Sequence, residues 1–325
     1  MMRAIVYAGA GGTEVITVAE VPRPAAGLSQ VRVRVRAAGL NRADILQRRG
    51  SYPAPHGWPD AIPGLEFAGE VEAVRPGATR WKVGDRVMGL AGSGAHAEAV
   101  VLHEDELLPI PDGMTFTDAA AIPEVFLTAF DALEVRGRVQ EGERVLIHAV
   151  GSGLGTAAAQ LAHRMGATVI GTSRTAGKLA RAVLFGVDVP VDTSATPLRE
   201  AVTEPVDVII DVLGGPAFGD HLALLAPRGR LVVLGFLAGS TTPEVDLGPI
   251  LRKRLEIVGT AMRTRESAER IALAHEFTVR VLPLFAHGQL RPVVDRVIPM
   301  TDIAEAHRLM ERDETFGKIV LAWEE

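Results

Sequence analysis

The chain has 325 residues, no cysteine, a hydrophobic content of 47% and a formal net charge of −6. This length favours two domains with sizeable apolar cores. The lack of cysteine excludes disulfides, thiolate metal ligands and a cysteine nucleophile, and the negative charge argues against a nucleic-acid partner. The first residues lack a signal-peptide pattern and no apolar run approaches the roughly 18 residues of a membrane span, which predicts a cytoplasmic protein with no membrane partner.

The first part of the chain, to about Pro111, is rich in strand-like segments separated by glycine and proline turns. Strict alternation in Val31–Arg36 predicts a half-buried strand whose three arginines form a solvated face rather than a basic patch. Further strands are predicted at Arg3–Tyr7, Val15–Glu20, Glu70–Val74, Asp85–Leu90 and Ala97–Val101.

Near Thr117 the pattern changes to apolar runs that alternate with helical segments. Each run is a continuous stretch rich in Val, Ile and Leu, which is typical of a parallel sheet covered on both faces and predicts a doubly wound α/β fold. Six strands are predicted at Val145–His148, Thr168–Thr172, Val189–Asp192, Asp207–Val212, Leu231–Phe236 and Leu255–Thr260, with helices between them at 154–165, 176–184, 216–225 and 246–253.

The last part of the chain combines helices with strand-like sequence. A longer helix is predicted at Ser267–Ala286, where apolar residues recur at helical spacing. Two strands, at Pro292–Val297 and Lys318–Trp323, are predicted on either side of a helix at Asp302–Met310.

A glycine-rich loop between the strand at Val145–His148 and the following helix is the strongest functional signal. Its residues are Gly151, Ser152, Gly153, Leu154 and Gly155, and their spacing departs from the simple G-x-G-x-x-G pattern. A strand that ends in glycines and leads into a helix exposes backbone N–H groups at the positive end of the helix dipole. The loop therefore predicts a dinucleotide pyrophosphate site, and a tight strand–helix turn without a ligand is the alternative.

The segment after the next strand indicates which dinucleotide is bound. An NAD site usually has an acidic residue here that binds the ribose 2′-hydroxyl, whereas this chain has Ser173, Arg174 and Lys178. Arg174 can hold a 2′-phosphate with two hydrogen bonds, and Lys178 adds a positive charge one helical turn later. These residues favour NADPH as the cofactor, and the alternative is that both cations are ordinary surface residues.

Short motifs along nearly the whole chain together resemble one enzyme family. They are Ala37–Asp44, Arg48–Pro53, Gly64–Gly69, Gly84–Val87, Pro109–Pro111, the glycine loop, Gly229–Val232, Ile250–Leu255 and Gly317–Val320. The chain resembles the quinone oxidoreductase (ζ-crystallin-like) family of the medium-chain dehydrogenase/reductase superfamily. Its motifs are most similar to the subgroup that includes the p53-inducible quinone oxidoreductase.

The resemblance implies two domains and a homo-oligomer. A β-rich GroES-like catalytic domain is expected from residues 1–120 and 288–325, and a Rossmann NADPH-binding domain from residues 121–287. A homodimer or homotetramer paired through Leu255–Thr260 is also implied. Zinc-dependent relatives hold the metal with two cysteines and a histidine, and this chain has Asn41 and Leu65 at two of those places and no cysteine, so no metal is expected.

The resemblance also points to the catalytic side chains. Asn41, Tyr52 and Arg263 can each donate a hydrogen bond to an acceptor oxygen, and Asn41 is implied to lie beside the nicotinamide as well. Loop packing is the alternative for Tyr52, and a surface or interface ion pair is the alternative for Arg263.

Further cofactor contacts are implied near the nicotinamide end. These are Thr128 and the residues after the fifth strand of the Rossmann domain, Gly235, Phe236 and Leu237, although Phe236 could instead be a core residue. Two departures from the family stand out, because Thr193 and His96 occupy positions where relatives usually have tyrosine. His96 is interpreted as structural rather than catalytic.

Without a metal, an acceptor that already attracts a hydride is favoured over a simple alcohol. The sequence therefore predicts NADPH-dependent reduction of quinones, with hydride or electrons passing from the nicotinamide to a conjugated small molecule. An NADPH-dependent alkenal or enone reductase and a non-catalytic NADPH-binding protein are the alternatives.

Overall fold

A computed structural model describes residues 1–242 and 244–323. The chain forms two compact units, Met1–Leu127 together with Met262–Glu325, and Thr128–Ala261. The expected division assigned residues 121–287 to the Rossmann domain, whereas in the structure Met262 and the residues after it belong to the first unit. The reason is visible in the ion pair between Arg270 and Glu106, which joins the helix after Met262 to the amino-terminal part of the chain.

The elements follow one another in a simple order. The amino-terminal part contains β1 (Met2–Tyr7), β2 (Ile16–Val21), β3 (Gln30–Gly39), α1 (Arg42–Arg48), β4 (Glu66–Val74), β5 (Arg86–Leu90), β6 (Ala99–His103), β7 (Leu107–Pro109), α2 (Phe116–Ala119) and α3 (Pro123–Phe130). The middle part contains β8 (Arg144–Ile147), α4 (Gly153–Arg164), β9 (Thr168–Ser173), α5 (Ala176–Ala182), β10 (Val189–Asp192), α6 (Leu198–Ala201), β11 (Val206–Asp211), α7 (Phe218–Leu224), β12 (Leu225–Val233), α8 (Gly248–Lys253) and β13 (Glu256–Gly259). The last part contains α9 (Ser267–Arg280), α10 (Leu282–Ala286), β14 (Val294–Pro299), α11 (Ile303–Glu311) and β15 (Lys318–Ala322).

The first unit is β-rich. Seven strands form one sheet in the order β14-β15-β3-β4-β5-β7, with β6 pairing to β3, and a separate antiparallel pair joins β1 to β2. The alternation predicted for Val31–Arg36 is confirmed, because Val31, Val33 and Val35 are buried. On the opposite face of β3, Arg32 forms an ion pair with Glu72 across the sheet. Arg36 forms an ion pair with Glu70 and Arg34 is exposed, so this face of the strand is solvated.

The second unit is a doubly wound parallel sheet, as the sequence predicts. Its six strands run in the order β10-β9-β8-β11-β12-β13. The chain adds β9 and β10 on one side of β8 and then returns to add β11, β12 and β13 on the other side. The crevice between the carboxyl ends of β8 and β11 is therefore the switch point at which this fold binds ligands. Buried Leu146, Ile209 and Leu231 from the three central strands lie in its apolar core.

Two predicted elements differ from the observed ones. The helix predicted at Ser267–Ala286 is divided into α9 and α10, because Pro283 has no N–H group to donate and a proline ring does not fit a helix interior. The strand predicted at Leu231–Phe236 ends at Val233 and begins earlier, at Leu225. In the part of the chain that the structure describes, no helix combines the length and apolar character needed to cross a membrane.

The core of the second unit yields a direct test. Leu231 is fully buried, so Leu231→Ala leaves a cavity and should lower the free energy of unfolding by about 2–5 kcal/mol. Leu251 is exposed on α8, and Leu251→Ala should change stability by no more than about 0.5 kcal/mol. Urea unfolding followed by far-UV circular dichroism compares the two variants, and equal midpoints would contradict this assignment of the core.

Candidate active site and cofactor site

The glycine loop forms the amino-terminal end of helix α4. Ser152 is the N-cap, and its hydroxyl oxygen accepts a hydrogen bond from the N–H of Gly155 at 3.0 Å. The first intrahelical bond runs from Thr156 N to the Ser152 carbonyl oxygen, so the N–H groups of Gly153 and Leu154 precede the helical ladder. The loop follows β8 at the switch point of the sheet, which is the arrangement that binds a pyrophosphate.

Gly155 permits close packing of the helix on the turn that follows β8. A Cβ atom at this position would lie 2.5 Å from the carbonyl oxygen of Ala149 and 2.6 Å from the Cα atom of Val150. Both contacts are with backbone, which cannot move aside as a flexible side chain can. The residue thus has the packing role of the third glycine in a dinucleotide-binding loop.

A buried hydroxyl group in the same unit lacks a partner. Thr128 Oγ1 is inaccessible to solvent and forms no hydrogen bond with the protein. Buried polar groups are nearly always hydrogen-bonded, so this hydroxyl fits a site that a polar ligand group completes. The residues present therefore fit a nicotinamide dinucleotide, with the glycine loop holding the pyrophosphate and Thr128 available to the nicotinamide end.

The structure places the predicted 2′-phosphate ligands at one end of the sheet. Ser173 ends β9, Arg174 follows it as an exposed residue, and Lys178 lies one turn into α5. Thr193, at the end of the neighbouring β10, donates its backbone N–H to the Ser173 carbonyl at 3.0 Å. Two positive charges and no carboxylate side chain occur in the segment Ser173–Lys178.

The loop after β12 contains Gly235, Phe236 and Leu237. The N–H of Leu237 donates to the carbonyl of Val212 at 2.9 Å, which holds this loop over the end of β11. The side chain of Phe236 is 58% exposed, so the alternative that it belongs to the core is wrong.

A hydrogen-bonded row of buried side chains lies at the carboxyl ends of the central strands. His148 contacts Thr172 Oγ1 through Nδ1 at 2.9 Å and His221 through Nε2 at 2.8 Å, and His221 Nδ1 lies 3.7 Å from Asp211. Asp211 in turn accepts two backbone N–H groups of the next turn. Burial lowers the pKa of His148 to about 3 and that of His221 to about 4, so both rings are neutral near pH 7.

Within residues 1–242 and 244–323, His148, Asp211 and His221 are the one group whose ligand atoms are close enough to share a metal ion. The two rings already contact each other directly through their Nε2 atoms. Sequence reasoning missed this row, and histidines after β8 and in α7 were its only signal.

In the first unit, a buried ion pair organises the predicted catalytic segment. Glu66 is fully buried, and its Oε1 atom accepts from Lys318 Nζ at 2.5 Å and from Asn41 Nδ2 at 2.9 Å. Lys318 also donates to Asn41 Oδ1 at 2.6 Å and to the Leu40 carbonyl at 2.8 Å. The amide of Asn41 is therefore engaged within the protein, and its contact with a cofactor or acceptor stays a prediction.

Arg263 is buried and holds three segments together. Its Nε donates to the Gly92 carbonyl at 2.8 Å, one Nη to the Tyr52 carbonyl at 2.9 Å, and the other to Gln47 Oε1 at 2.6 Å. All three acceptors are uncharged, so the alternative of a surface ion pair is wrong. The guanidinium also lies over the Tyr52 ring, 4.8 Å from its centroid.

Tyr52 is half-buried beside this cation. Burial and the charge of Glu124 raise the pKa of Tyr52, against the opposing effect of Arg263. Its hydroxyl therefore remains protonated throughout the physiological range and can donate a hydrogen bond, but it is a weak source of protons.

Sequence reasoning named the Glu124 region only as the place where zinc-dependent relatives have their second cysteine, and it gave Glu124 no role. It lies in the first turn of α3, and its backbone N–H donates to Glu66 Oε2 at 2.8 Å. Burial, reinforced by the charge of Glu66, raises the pKa of Glu124 to about 8 although Lys318 and Arg263 lower it. An acidic residue inside the apolar stretch Ala119–Phe130 was the available signal.

A narrow cavity in the first unit connects these groups. It is lined by Leu65, Leu90, Ala91, Gly92, Glu124, Met262, Arg263 and Arg270. His96, four residues after Gly92 in the chain, is fully buried. Its Nε2 atom lies 3.3 Å from the Gly39 carbonyl oxygen, and burial lowers the pKa of the ring. The structure thus links Asn41 to Glu66 and Tyr52 to Arg263, with Glu124 acting electrostatically on both pairs.

Comparison with known proteins identifies the matching families. Residues 27–112 match the alcohol dehydrogenase GroES-like domain, and residues 153–277 match the zinc-binding dehydrogenase family. The fold and these matches define the chain as an oxidoreductase of the medium-chain dehydrogenase/reductase type.

Individual relatives indicate the family within this superfamily. The chain is 35% identical over 327 residues to a quinone oxidoreductase of Pseudomonas aeruginosa, with 99% of each chain covered. It is also 32% identical to the human synaptic vesicle membrane protein VAT-1 homolog, covering 99% of this chain and 86% of that protein. The crystal structure of Escherichia coli quinone oxidoreductase complexed with NADPH superimposes with a TM-score of 0.88 at 28% identity, over 98% of this chain and 99% of the other. The chain therefore belongs to the quinone oxidoreductase (ζ-crystallin-like) family.

The glycine loop can be tested with a single methyl group. Gly155→Ala should force α4 away from the turn at Ala149 and Val150, lower stability by about 1–3 kcal/mol and weaken dinucleotide binding. Gly177→Ala is the matched control, because a Cβ at this helical position meets nothing within 4 Å and should stabilise by about 0.5–1 kcal/mol. Thermal unfolding and a fluorescence titration with NADPH measure both effects, and unchanged binding in Gly155→Ala would refute the role of this glycine.

The buried histidine row predicts acid sensitivity. In the unfolded chain both imidazoles take up protons as the pH falls below about 6.5, whereas in the folded protein they resist protonation until about pH 4 or 3. The unfolded state then binds more protons, so stability is lost as the pH falls through this window. His221→Asn should reduce the fall in Tm between pH 6.5 and 4, while His275→Asn, at an exposed position, should not. Parallel Tm curves for wild type and His221→Asn would contradict the assignment.

Proposed function

We propose that the protein is an NADPH-dependent reductase of quinones that uses no metal. The second unit binds the dinucleotide, and side chains of the first unit bind the acceptor. Bound NADPH would supply the hydride or electrons, and the protein positions the acceptor and stabilises the negative charge that develops on its oxygen.

The preference for NADPH is argued from charge. Arg174 and Lys178 place two cations after β9, where an NAD-specific site has a carboxylate. A 2′-phosphate would form charge-assisted hydrogen bonds with these cations, and a 2′-hydroxyl would not. The NADPH complex of the E. coli relative supports the same cofactor for this chain.

The single observation that carries the acceptor proposal is the buried guanidinium of Arg263. Its direct hydrogen-bond partners are all neutral, so its positive charge is available to an oxygen that becomes negative during reduction. Leu65, Leu90 and Met262 give the walls of the same small cavity an apolar character. Tyr52, beside Arg263, adds a hydroxyl donor.

We also propose a homodimer. Strand β13 is the edge of the parallel sheet, and Ile257 on it is 40% exposed. An exposed apolar edge strand is a natural site for pairing with a second copy.

The proposal is tested with a panel of acceptors and both cofactors. Naphthoquinones, phenanthrenequinone and alkenals are compared by kcat/KM with NADPH and NADH, and quinones with NADPH should give the highest values. The double variant Arg174→Ala/Lys178→Ala should raise KM for NADPH by about 10- to 100-fold and leave KM for NADH nearly unchanged.

Other outcomes identify the alternatives. Higher kcat/KM for alkenals than for any quinone would indicate an enone reductase. Tight NADPH binding without oxidation by any acceptor would indicate a binding protein, and equal KM values for NADH and NADPH would refute the cofactor preference.

A further inference from the structure

Reduction of a quinone or an enone requires a proton as well as a hydride. When the hydride arrives, an electron pair moves to the acceptor oxygen, which becomes negative and must be protonated. Solvent can supply this proton, but a positioned acid of suitable strength accelerates the step by about 10²- to 10⁴-fold. The relevant question is therefore which side chain around the cavity in the first unit holds a transferable proton.

Most polar groups near this cavity are poor acids. The pKa of Tyr52 is raised, so its hydroxyl gives up a proton reluctantly. Arg263 keeps its proton and acts as a charge and hydrogen-bond donor. Lys318 is buried, and its ammonium group is engaged by Glu66, Asn41 and a carbonyl oxygen.

Glu124 differs from these groups. Its backbone is fixed by the hydrogen bond to Glu66, while its side chain lines the cavity together with Arg263. Among the residues that the structure describes, no side-chain or backbone group forms a hydrogen bond with the carboxyl group of Glu124. The carboxyl group is thus held in place through the backbone and remains available to a ligand.

We propose that Glu124 is the general acid of the reaction, an inference that rests on the reductase function proposed above. Its carboxyl O–H bond breaks as the proton passes to the negatively charged acceptor oxygen, and a hydroquinone or an enol forms. The hydride, which carries both electrons, comes from NADPH, and Glu124 is left as a carboxylate that regains a proton from solvent. The positive charge of Arg263 stabilises that carboxylate until it does.

The surroundings explain why Glu124 holds a proton at neutral pH. The titratable or charged groups that face it from neighbouring elements, or share its cavity, are Glu66, Asp44, Lys318, Arg263, Tyr52 and Arg270. Burial and the carboxylates of Glu66 and Asp44 oppose ionisation, and they outweigh Lys318 and Arg263, which favour it. A pKa of about 8 matches an acid that works near neutral pH.

The test compares wild type with Glu124→Gln, which keeps the size of the side chain and removes the transferable proton. With NADPH and an acceptor of the panel above, we expect kcat to fall by about 10²- to 10⁴-fold while KM for NADPH changes little. Wild-type kcat should decline above about pH 8, and this decline should be absent from the pH profile of Glu124→Gln. Glu124→Asp should restore much of the rate, and Glu200→Gln, at an exposed position on α6, should behave as wild type.

A second measurement needs no turnover. Between about pH 4.5 and 8 the folded wild-type protein binds a proton at Glu124 that the unfolded chain has lost, so its stability decreases as the pH rises through this window. Glu124→Gln lacks this dependence, and the Tm of the wild type should fall relative to that of the variant. Parallel Tm curves, or an unchanged kcat and pH profile in an active Glu124→Gln, would overturn the inference alone. If the wild-type protein fails to oxidise NADPH with every acceptor of the panel, the proposed function itself is overturned.

Discussion

The buried ion pair between Glu66 and Lys318 is the interaction on which the first unit depends. Lys318 opens the last strand and Glu66 opens β4, so the pair ties the two ends of the chain into one sheet with β3 between them. Removing both charges from water is costly, and this cost is offset only because each donor and acceptor has further partners. Asn41, the Leu40 carbonyl and the Glu124 N–H supply them.

The same pair sets the electrostatics of the cavity. A fixed negative charge at Glu66 discourages ionisation of the neighbouring Glu124, while Lys318 limits the size of that effect. The three hydrogen bonds of Arg263 go to neutral acceptors, so no carboxylate is bonded directly to this cation through them. In the reaction proposed above, this setting favours a protonated Glu124 near the cation of Arg263, a combination that suits the reduction of a conjugated carbonyl.

The parts that sequence reasoning predicted well are those with local causes. The strand–glycine–helix turn, the parallel sheet and the alternating arginines of β3 depend on residues close together in the chain, and all three are observed, with shifted bounds for one strand. The less accurate parts depend on distant contacts. Arg263 was open to interpretation as a surface residue because nothing near it in sequence shows that Gln47, Tyr52 and Gly92 surround it.

By itself, the sequence determined the fold class, the position of the dinucleotide loop and the family, since hydrophobic periodicity, glycine spacing and short motifs are local properties. Only the tertiary structure showed which groups surround Glu124. Its acidity depends on Glu66, Asp44 and Lys318, which three separate elements bring around it. The pKa of a group depends on the burial and charges around it in space, and no linear pattern encodes these.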